Sequence, residues 1–138
     1  MAAISNVVRQ FLEEKRFAVL ATIARDGTPH LTTMWYELRD DTIVMNTRVG
    51  NVKSRQLRRD GRCSVCFPDG YHYVTIEGVA TLDDAPTTAQ ADIRRLAIRY
   101  QGEEVGEQRV REYFAKQQRV SIYVPIQSVI TYGLEEGA

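Results

Sequence analysis

The spacing of apolar positions changes period several times along the chain, and each change marks an element. Ser5 precedes Val8, Phe11 and Leu12 at helical spacing, which predicts a capped first helix ending near Lys15. "FAVLATIA" (17–24) is a dense apolar run suited to a strand buried on both faces. Asp26-Gly27 is a strong hairpin signal, so "TPHLTTMWYEL" is expected to return antiparallel. Its alternation sets Leu31, Thr33 and Trp35 on one face, and His30, Thr32, Met34 and Tyr36 on the other. "RDD" then turns the chain into the strand "TIVMNT". A short helix follows, capped by Gly50 or Asn51, with Val49, Val52, Gln56 and Leu57 as its inward stripe. "RCSVCF", a Pro68-Asp69-Gly70 turn and "YHYVTIEGVATL" supply two more strands. The second places Val74, Ile76, Ala80 and Leu82 on one face, and Gly78 within it predicts a bulge or a sharp bend.

The period returns to helical over 87–101, where Ile93, Leu96, Ala97 and Tyr100 share a face and Gly102 closes the helix. Asp83-Asp84 reads as cap chemistry ahead of Pro86. A shorter helix carries Val110, Tyr113 and Phe114 over about 107–117. "RVSIYVPIQSVITYG" alternates Val120, Ile122, Val124 and Ile126 as the last strand, with Pro125 marking an edge or a bulge. Six strands and four helices, joined mostly by hairpins, predict an α+β chain dominated by β: one domain over 1–138, a small antiparallel barrel with flanking helices.

Composition narrows the functional classes. The 138 residues suffice for one domain with a real core. Eighteen basic and 18 acidic residues cancel, so no global field draws nucleic acid or an anionic membrane, and any anion site is local. No apolar run reaches the roughly 20 residues of a spanning helix. The first residues lack the basic start and apolar middle of a secretory signal, which makes a cytoplasmic protein the expectation. Cys63 and Cys66 lie three apart on a strand and so point to opposite faces. No second Cys pair or His couple completes a metal site around them, and they read as small buried or half-buried thiols.

One stretch departs from this even charge. "MNTRVGNVKSRQLRRDG" (45–61) holds Arg48, Lys53, Arg55, Arg58 and Arg59 with one acid, Asp60. Lys53 falls in the first helical turn, where a cation opposes the macrodipole. A phosphate there would meet free backbone N–H groups, the Lys53 ammonium and the Thr47 hydroxyl together. The competing reading is a solvated basic face balanced by acids elsewhere, and Arg55, Arg58 and Arg59 suit it well. The chain has neither a P-loop nor a G-x-G-x-x-G. His30 and His72 are candidate proton donors, although neither has an orienting carboxylate in the pattern.

Four stretches, "FAVLATIARDGTPHLTTMWYEL", "TIVMNTRVGNVKSRQLRRDGRCSV", "YVTIEGVATL" and "VSIYVPIQSVITYG", resemble in order and spacing the pyridoxamine 5'-phosphate oxidase-like superfamily. Within it the chain is most similar to the short coenzyme F-420-dependent branch, whose K-x-x-x-L-R-R-D helix stands here as Lys53 to Asp60. The resemblance implies a six-stranded antiparallel split β-barrel of the FMN-binding type. It also implies a homodimer with cofactor between the subunits, and hydride transfer to a small organic acceptor such as a quinone, enone or tetrapyrrole. Coenzyme F-420 is the implied cofactor, with FMN as the alternative; a non-catalytic cofactor- or haem-binding barrel is the rival class. By the same resemblance Thr32, Thr33, Met34 and Trp35 lie along the cofactor ring. Asn46 and Thr47 flank the ribityl chain and phosphate, Arg48, Val52 and Lys53 belong to the phosphate turn, and Tyr73 reaches the ring from the partner subunit. The flavin oxidases carry Arg where this chain has Thr32 and Lys where it has Glu37. Their extended C-terminal substrate tail has no counterpart here either. These departures point away from pyridoxamine phosphate oxidation itself.

Overall fold

The computed structural model describes residues 4–134. Helix α1 (Asn6–Glu13) is capped as expected, the Ser5 hydroxyl accepting from the Val8 N–H at 3.2 Å. It stops two residues before Lys15 because Glu14 turns extended. Strands β1 (Ala18–Ile23) and β2 (Pro29–Met34) form the Asp26-Gly27 hairpin, with Gly27 at φ 87°. Then follow β3 (Glu37–Arg39), β4 (Thr42–Arg48), helix α2 (Val52–Arg59), β5 (Arg62–Asp69), β6 (His72–Val79) and β7 (Thr81–Asp83). Helices α3 (Pro86–Gln101) and α4 (Glu103–Glu112), a 3-10 turn (Phe114–Lys116), β8 (Arg119–Pro125) and β9 (Ser128–Tyr132) complete the described chain.

The strands form two antiparallel sheets, ordered β2-β1-β5-β6-β9 and β3-β4-β8-β7, which keeps the expected split barrel in broad outline but with nine strands rather than six among the described residues. Nine strands replace the expected six because each of the three longest runs breaks once, where it passes between the sheets. The first break is at Trp35 and Tyr36, the second at Ala80, the third at Ile126 and Gln127. Tyr36 leaves the ladder because its backbone is taken by a helix: its N–H donates to the Tyr100 hydroxyl at 3.1 Å and its carbonyl accepts from Arg99 Nε at 3.0 Å. Pro125 lies neither on an edge strand nor in a bulge; it is the last residue of an interior strand, and Ile126 crosses over by donating to the Asp41 carbonyl. Gly78 likewise marks a close approach rather than a bulge. A Cβ there would lie 2.4 Å from the Pro125 carbonyl oxygen of the other sheet.

The main core fills the space between the sheets, with Leu20, Val65, Phe67 and Ile76 from one and Ile43, Met45, Ile122 and Val124 from the other. Strand β1 buries one face fully and the other only in part, so the expectation of two buried faces fails for the single chain. A smaller core lies under α3, where Ile93, Leu96, Ala97 and Phe114 pack with Trp35 and Val110. Asp92 of α3 ties this layer to the four-stranded sheet, accepting from Ser121 Oγ and Tyr123 OH at 2.6 Å and from Arg39 at 3.1 Å. The helix expected over 107–117 is divided at Tyr113, whose φ and ψ of −132° and −67° separate α4 from the 3-10 turn. Asp83 accepts from the Ala85 N–H at 3.0 Å just ahead of α3, while Asp84 pairs with Arg58.

Candidate functional site

The turn between β4 and α2 is built by its own polar side chains. Asn51 is the N-cap, its Oδ1 accepting from the Ser54 N–H at 3.1 Å, and the Ser54 hydroxyl accepts from the Gly50 N–H at 3.0 Å. Thr47 Oγ1 receives Asn51 Nδ2 at 2.6 Å and Lys53 Nζ at 3.3 Å. The inward face of α2 consists of Ser54, Gln56 and Leu57; Val52, expected there, is the first helical residue and is 43% exposed.

The five cations of this stretch divide into two groups. Arg55 donates to the Gly50 carbonyl, Arg58 pairs with Asp84 at 3.0 Å, and Arg59 donates to the Ile23 carbonyl. These three lie on the exposed face; Arg58 meets an acid, while Arg55 and Arg59 rest on neutral carbonyls. Arg48 and Lys53 have no carboxylate within salt-bridge distance among the described residues. A third cation joins them, because the β4–β8 register sets Arg48 directly opposite Arg119. Like charges across an antiparallel pair are destabilising. Burial pushes the Arg119 guanidinium down to about 10, with Tyr113 opposing and Arg48 adding to the effect. Burial and then the charge of Arg119 likewise hold the Lys53 ammonium below the ordinary lysine value. Among the described residues Arg119 is oriented by neutral acceptors, donating from Nε to Asn46 Oδ1 at 2.9 Å and from Nη1 to Gln117 Oε1 at 2.7 Å. Asn46 is fixed in turn by donating to the Ala89 carbonyl at 2.9 Å.

Arg119 forms one end of a cleft of ≈ 260 Å³. Thr33, Met34 and Trp35, Asn46 of β4, Ile93 and Leu96 of α3, Arg109 of α4 and Phe114 complete its lining. Trp35 is held flat, stacked on Tyr100 at 5.2 Å and 9°, and meets Phe114 edge-on at 6.2 Å. Among the described residues the lining contains no carboxylate, histidine or thiol. Such a cleft can bind a flat apolar body with an anionic group, and it holds no acid–base pair of its own. A larger hollow of ≈ 440 Å³ lies by Ile23, Ser64 and Val79, but both its charged side chains are already engaged, Arg62 by Asp60 and Glu77 by Ser128.

Thr33, Met34, Trp35 and Asn46 thus meet in one place, and Thr47, Arg48 and Lys53 adjoin it through Arg119. Thr32 stands on the opposite face of β2 in register with Leu20. Tyr73 is on β6, two strands from β1, and stacks on Tyr132 at 5.8 Å; within one chain it does not reach the cleft. His30 is tied to Gln56 at 3.3 Å and His72 lies on the β5–β6 hairpin, so neither lines the cleft. Cys63 is buried, its thiol pushed up to about 11 by desolvation, and Cys66 is half-buried on the other face. No helix of the described residues is long and apolar enough to cross a membrane. Arg109 and Arg119 were not legible as site residues. The one available signal is that Arg119 begins the polar row Arg119, Ser121, Tyr123 on an otherwise apolar strand.

The family model described as pyridoxamine 5'-phosphate oxidase matches residues 4–131 of the chain. A conserved hypothetical protein of Mycobacterium tuberculosis is 29% identical over 94% of this chain and 85% of its own, with a TM-score of 0.80. An F-420 reductase superposes at a TM-score of 0.71, with 21% identity over 88% of this chain and 94% of its own. General stress protein 26 of Bacillus anthracis gives 0.68, at 16% identity over 94% and 93%. The last two likenesses establish a shared fold.

Proposed function

This chain belongs to the pyridoxamine 5'-phosphate oxidase family, and from that premise we propose that residues 1–138 form a single cofactor-binding domain acting as a deazaflavin-dependent oxidoreductase. The observation that carries the reading is the set Arg48, Lys53 and Arg119, three neighbouring cations with no acid within salt-bridge distance among the described residues. Leaving such a set unpaired costs stability, and a phosphate ester offsets that cost by accepting from all three along with the Thr47 hydroxyl. The donor set fits the phosphate of coenzyme F-420 or FMN, and the flat Trp35 wall fits a conjugated ring. When bound, the cofactor supplies the hydride for a small organic acceptor. The residues of this chain contribute binding and orientation. Lys53 and Arg119 hold the anion, Asn46 fixes the guanidinium, and Trp35, Met34 and Phe114 exclude water from one side of the ring. The absence of acid–base groups from the cleft lining supports a reaction whose chemistry resides in the cofactor. Coenzyme F-420 is favoured over FMN by the Lys53 to Asp60 motif.

The cleft of ≈ 260 Å³ falls below the roughly 300–1,000 Å³ of complete ligand pockets. A partner subunit would add the missing wall. The outward face of the five-stranded sheet is suited to pairing: Leu31 is 63% exposed, Ile130 51% and Tyr132 59%. Tyr73 lies on that sheet and would approach the partner's cofactor. Titration of the purified protein with F-420 and with FMN tests the reading, together with sedimentation equilibrium for the dimer. F-420 is expected to bind the tighter of the two. A folded protein that binds neither overturns the proposal.

A further inference from the structure

Two consecutive residues of α3 hold both acceptors that orient Arg119. Asn46, which accepts from Nε, is fixed by donating to the Ala89 carbonyl at 2.9 Å. Gln117, which accepts from Nη1, is fixed by the next residue along α3. Gln90 Nε2 donates to the Gln117 carbonyl at 3.1 Å and to the Phe114 carbonyl at 3.0 Å. A carbonyl only accepts, so both bonds require the amide nitrogen and settle which way the Gln90 side chain is turned. The two carbonyls bracket the 3-10 turn Phe114–Lys116, whose C-cap is Gln117. This segment touches Arg119 twice, through the Gln117 side chain and through the Phe114 ring, whose centroid lies 4.9 Å from the guanidinium carbon.

The two ends of the segment differ in what else holds them. Phe114 is packed among Ile93, Leu96 and Ala97. Gln117 is only half-buried and lines, with Gln90 and Arg119, a hollow of ≈ 330 Å³. Two part-buried carbonyls are reason enough for an amide at position 90. What sets Gln90 apart is that one of them belongs to the residue gripping the guanidinium. Without its bonds the ring wall stays in place and the Gln117 end loosens.

We propose that Gln90 is a positioning residue for Arg119: by pinning Gln117 it aims the guanidinium at the phosphate, and so sets affinity for the phosphate end of the cofactor without touching it. The inference rests on the phosphate reading above. A guanidinium donates to an anion through a planar fork, so its plane matters as much as its charge. Asn46 holds that plane at Nε and Gln117 holds it at Nη1.

The test separates ring from phosphate. Ligand fluorescence follows binding of two pairs, each a ring with and without its phosphate end: FMN with riboflavin, and F-420 with its phosphate-free ribityl alcohol. The proteins are the full chain as wild type, Gln90→Met, Gln90→Asn, Gln117→Met and the Gln90→Met, Gln117→Met double variant. Wild type is expected to prefer the phosphorylated member by about tenfold or more. Gln90→Met keeps the unbranched stem but cannot donate. It is expected to lose about three- to tenfold in affinity for the phosphorylated member and nothing for the alcohol. Emission from Trp35, the chain's single tryptophan and an edge-on neighbour of Phe114, is expected to be unchanged, with a melting temperature within about 5 °C of wild type. In the Gln117→Met background Gln90→Met is expected to add little, because the link to Arg119 is already cut. Gln90→Asn, an amide on a shorter stem, is expected to show a smaller loss of the same selectivity, and it decides the matter should Gln90→Met not fold. Equal losses for both members of a pair, full additivity with Gln117→Met, or unchanged affinity throughout overturns the inference while wild type keeps its preference for phosphate. A wild type that binds no ligand, or both members of each pair alike, sinks the phosphate reading and this inference with it.

Discussion

Replacing Lys53 by methionine is expected to raise the stability of the free protein and to lower its affinity for cofactor. The Lys53 ammonium is half-buried, has one long hydrogen bond, to Thr47 Oγ1 at 3.3 Å, and faces the charge of Arg119. Methionine keeps the unbranched stem. Thr47 Oγ1 is not orphaned, because Asn51 Nδ2 still donates to it at 2.6 Å. Removing a cation from the first turn of α2 relieves a few tenths of a kcal/mol of unfavourable dipole interaction. Removing a like-charge contact at a half-exposed site is the reverse of losing an ion pair, about 0.2–1 kcal/mol. The sum is about 0.5–1 kcal/mol, a rise in melting temperature of about 2–5 °C. A charge-assisted bond to phosphate is lost at the same time, about 1.5–3 kcal/mol, so F-420 is expected to bind about tenfold to a hundredfold more weakly.

Thermal unfolding with and without F-420 reads both effects. Without ligand the variant melts higher; with F-420 in excess wild type overtakes it, since ligand stabilises by RT ln(1 + [L]/Kd). Added salt narrows the ligand-free gap. The pH dependence has a definite sign. The folded-state value of Lys53 lies below its ordinary 10.5, so the unfolded chain holds that proton more tightly and this residue's penalty fades as pH rises toward 10.5. The gap therefore closes in the alkaline range. A variant that melts lower than wild type without ligand and binds F-420 unchanged would refute the reasoning and return Lys53 to the solvated face.

Asn46→Ala removes the acceptor of Arg119 Nε and the donor to the Ala89 carbonyl. Two part-buried groups lose partners, and urea denaturation is expected to show a loss of about 2–4 kcal/mol, with weaker F-420 binding. Gly78→Ala places a Cβ 2.4 Å from the Pro125 carbonyl oxygen and 3.0 Å from Val124 Cγ1. Because the obstacle is backbone, a loss of about 3 kcal/mol or more is expected, and wild-type stability in this variant would count against the tight corner. Asp92 is subject to burial, which raises its pKa, but hydrogen bonds from Ser121, Tyr123 and Arg39 outweigh it and hold the carboxyl below 3.8. Its stabilisation is present above that value and is lost as pH falls through the folded pKa. Asp92→Asn is expected to be about 1–3 kcal/mol less stable at neutral pH, with the deficit shrinking in denaturations below 3.8; a deficit constant across that range would dismiss the role.

Periodicity located every element to within a few residues but could not tell one long strand from two. Across Trp35-Tyr36 and Ala80 the apolar alternation continues, because residues on both sides of each break face the same inter-sheet core, whereas at Ile126-Gln127 the inward position slips by one, from Ile126 to Val129. What changes at a break is the hydrogen-bonding neighbour, and that neighbour is remote in sequence. Tyr36 exchanges a strand for Tyr100 and Arg99, and Ile126 exchanges one for Asp41. Gly78 and Pro125 were visible signals and belong to one corner: the glycine lacks a Cβ because the proline's carbonyl oxygen occupies that space. Alone, the glycine read as a bulge or a sharp bend and the proline as an edge or a bulge, and only the pair explains either.

The site divides along the same line. Local chemistry identified the β4–α2 turn, since capping residues and the first-turn lysine are neighbours in sequence. It could not decide how the five cations are engaged, because Arg58 pairs with Asp84 and Arg59 donates to the Ile23 carbonyl, partners delivered by other elements. Nor could it find Arg119, which meets Arg48 only through the β4–β8 register. Zero net charge over the whole chain therefore conceals a local excess of three positive groups. Folding alone gains nothing from assembling them: cross-strand repulsion, burial and the α2 dipole all oppose it. On the proposed reading the chain recovers this cost when an anion enters, and the same repulsion that weakens the empty protein then adds to its affinity.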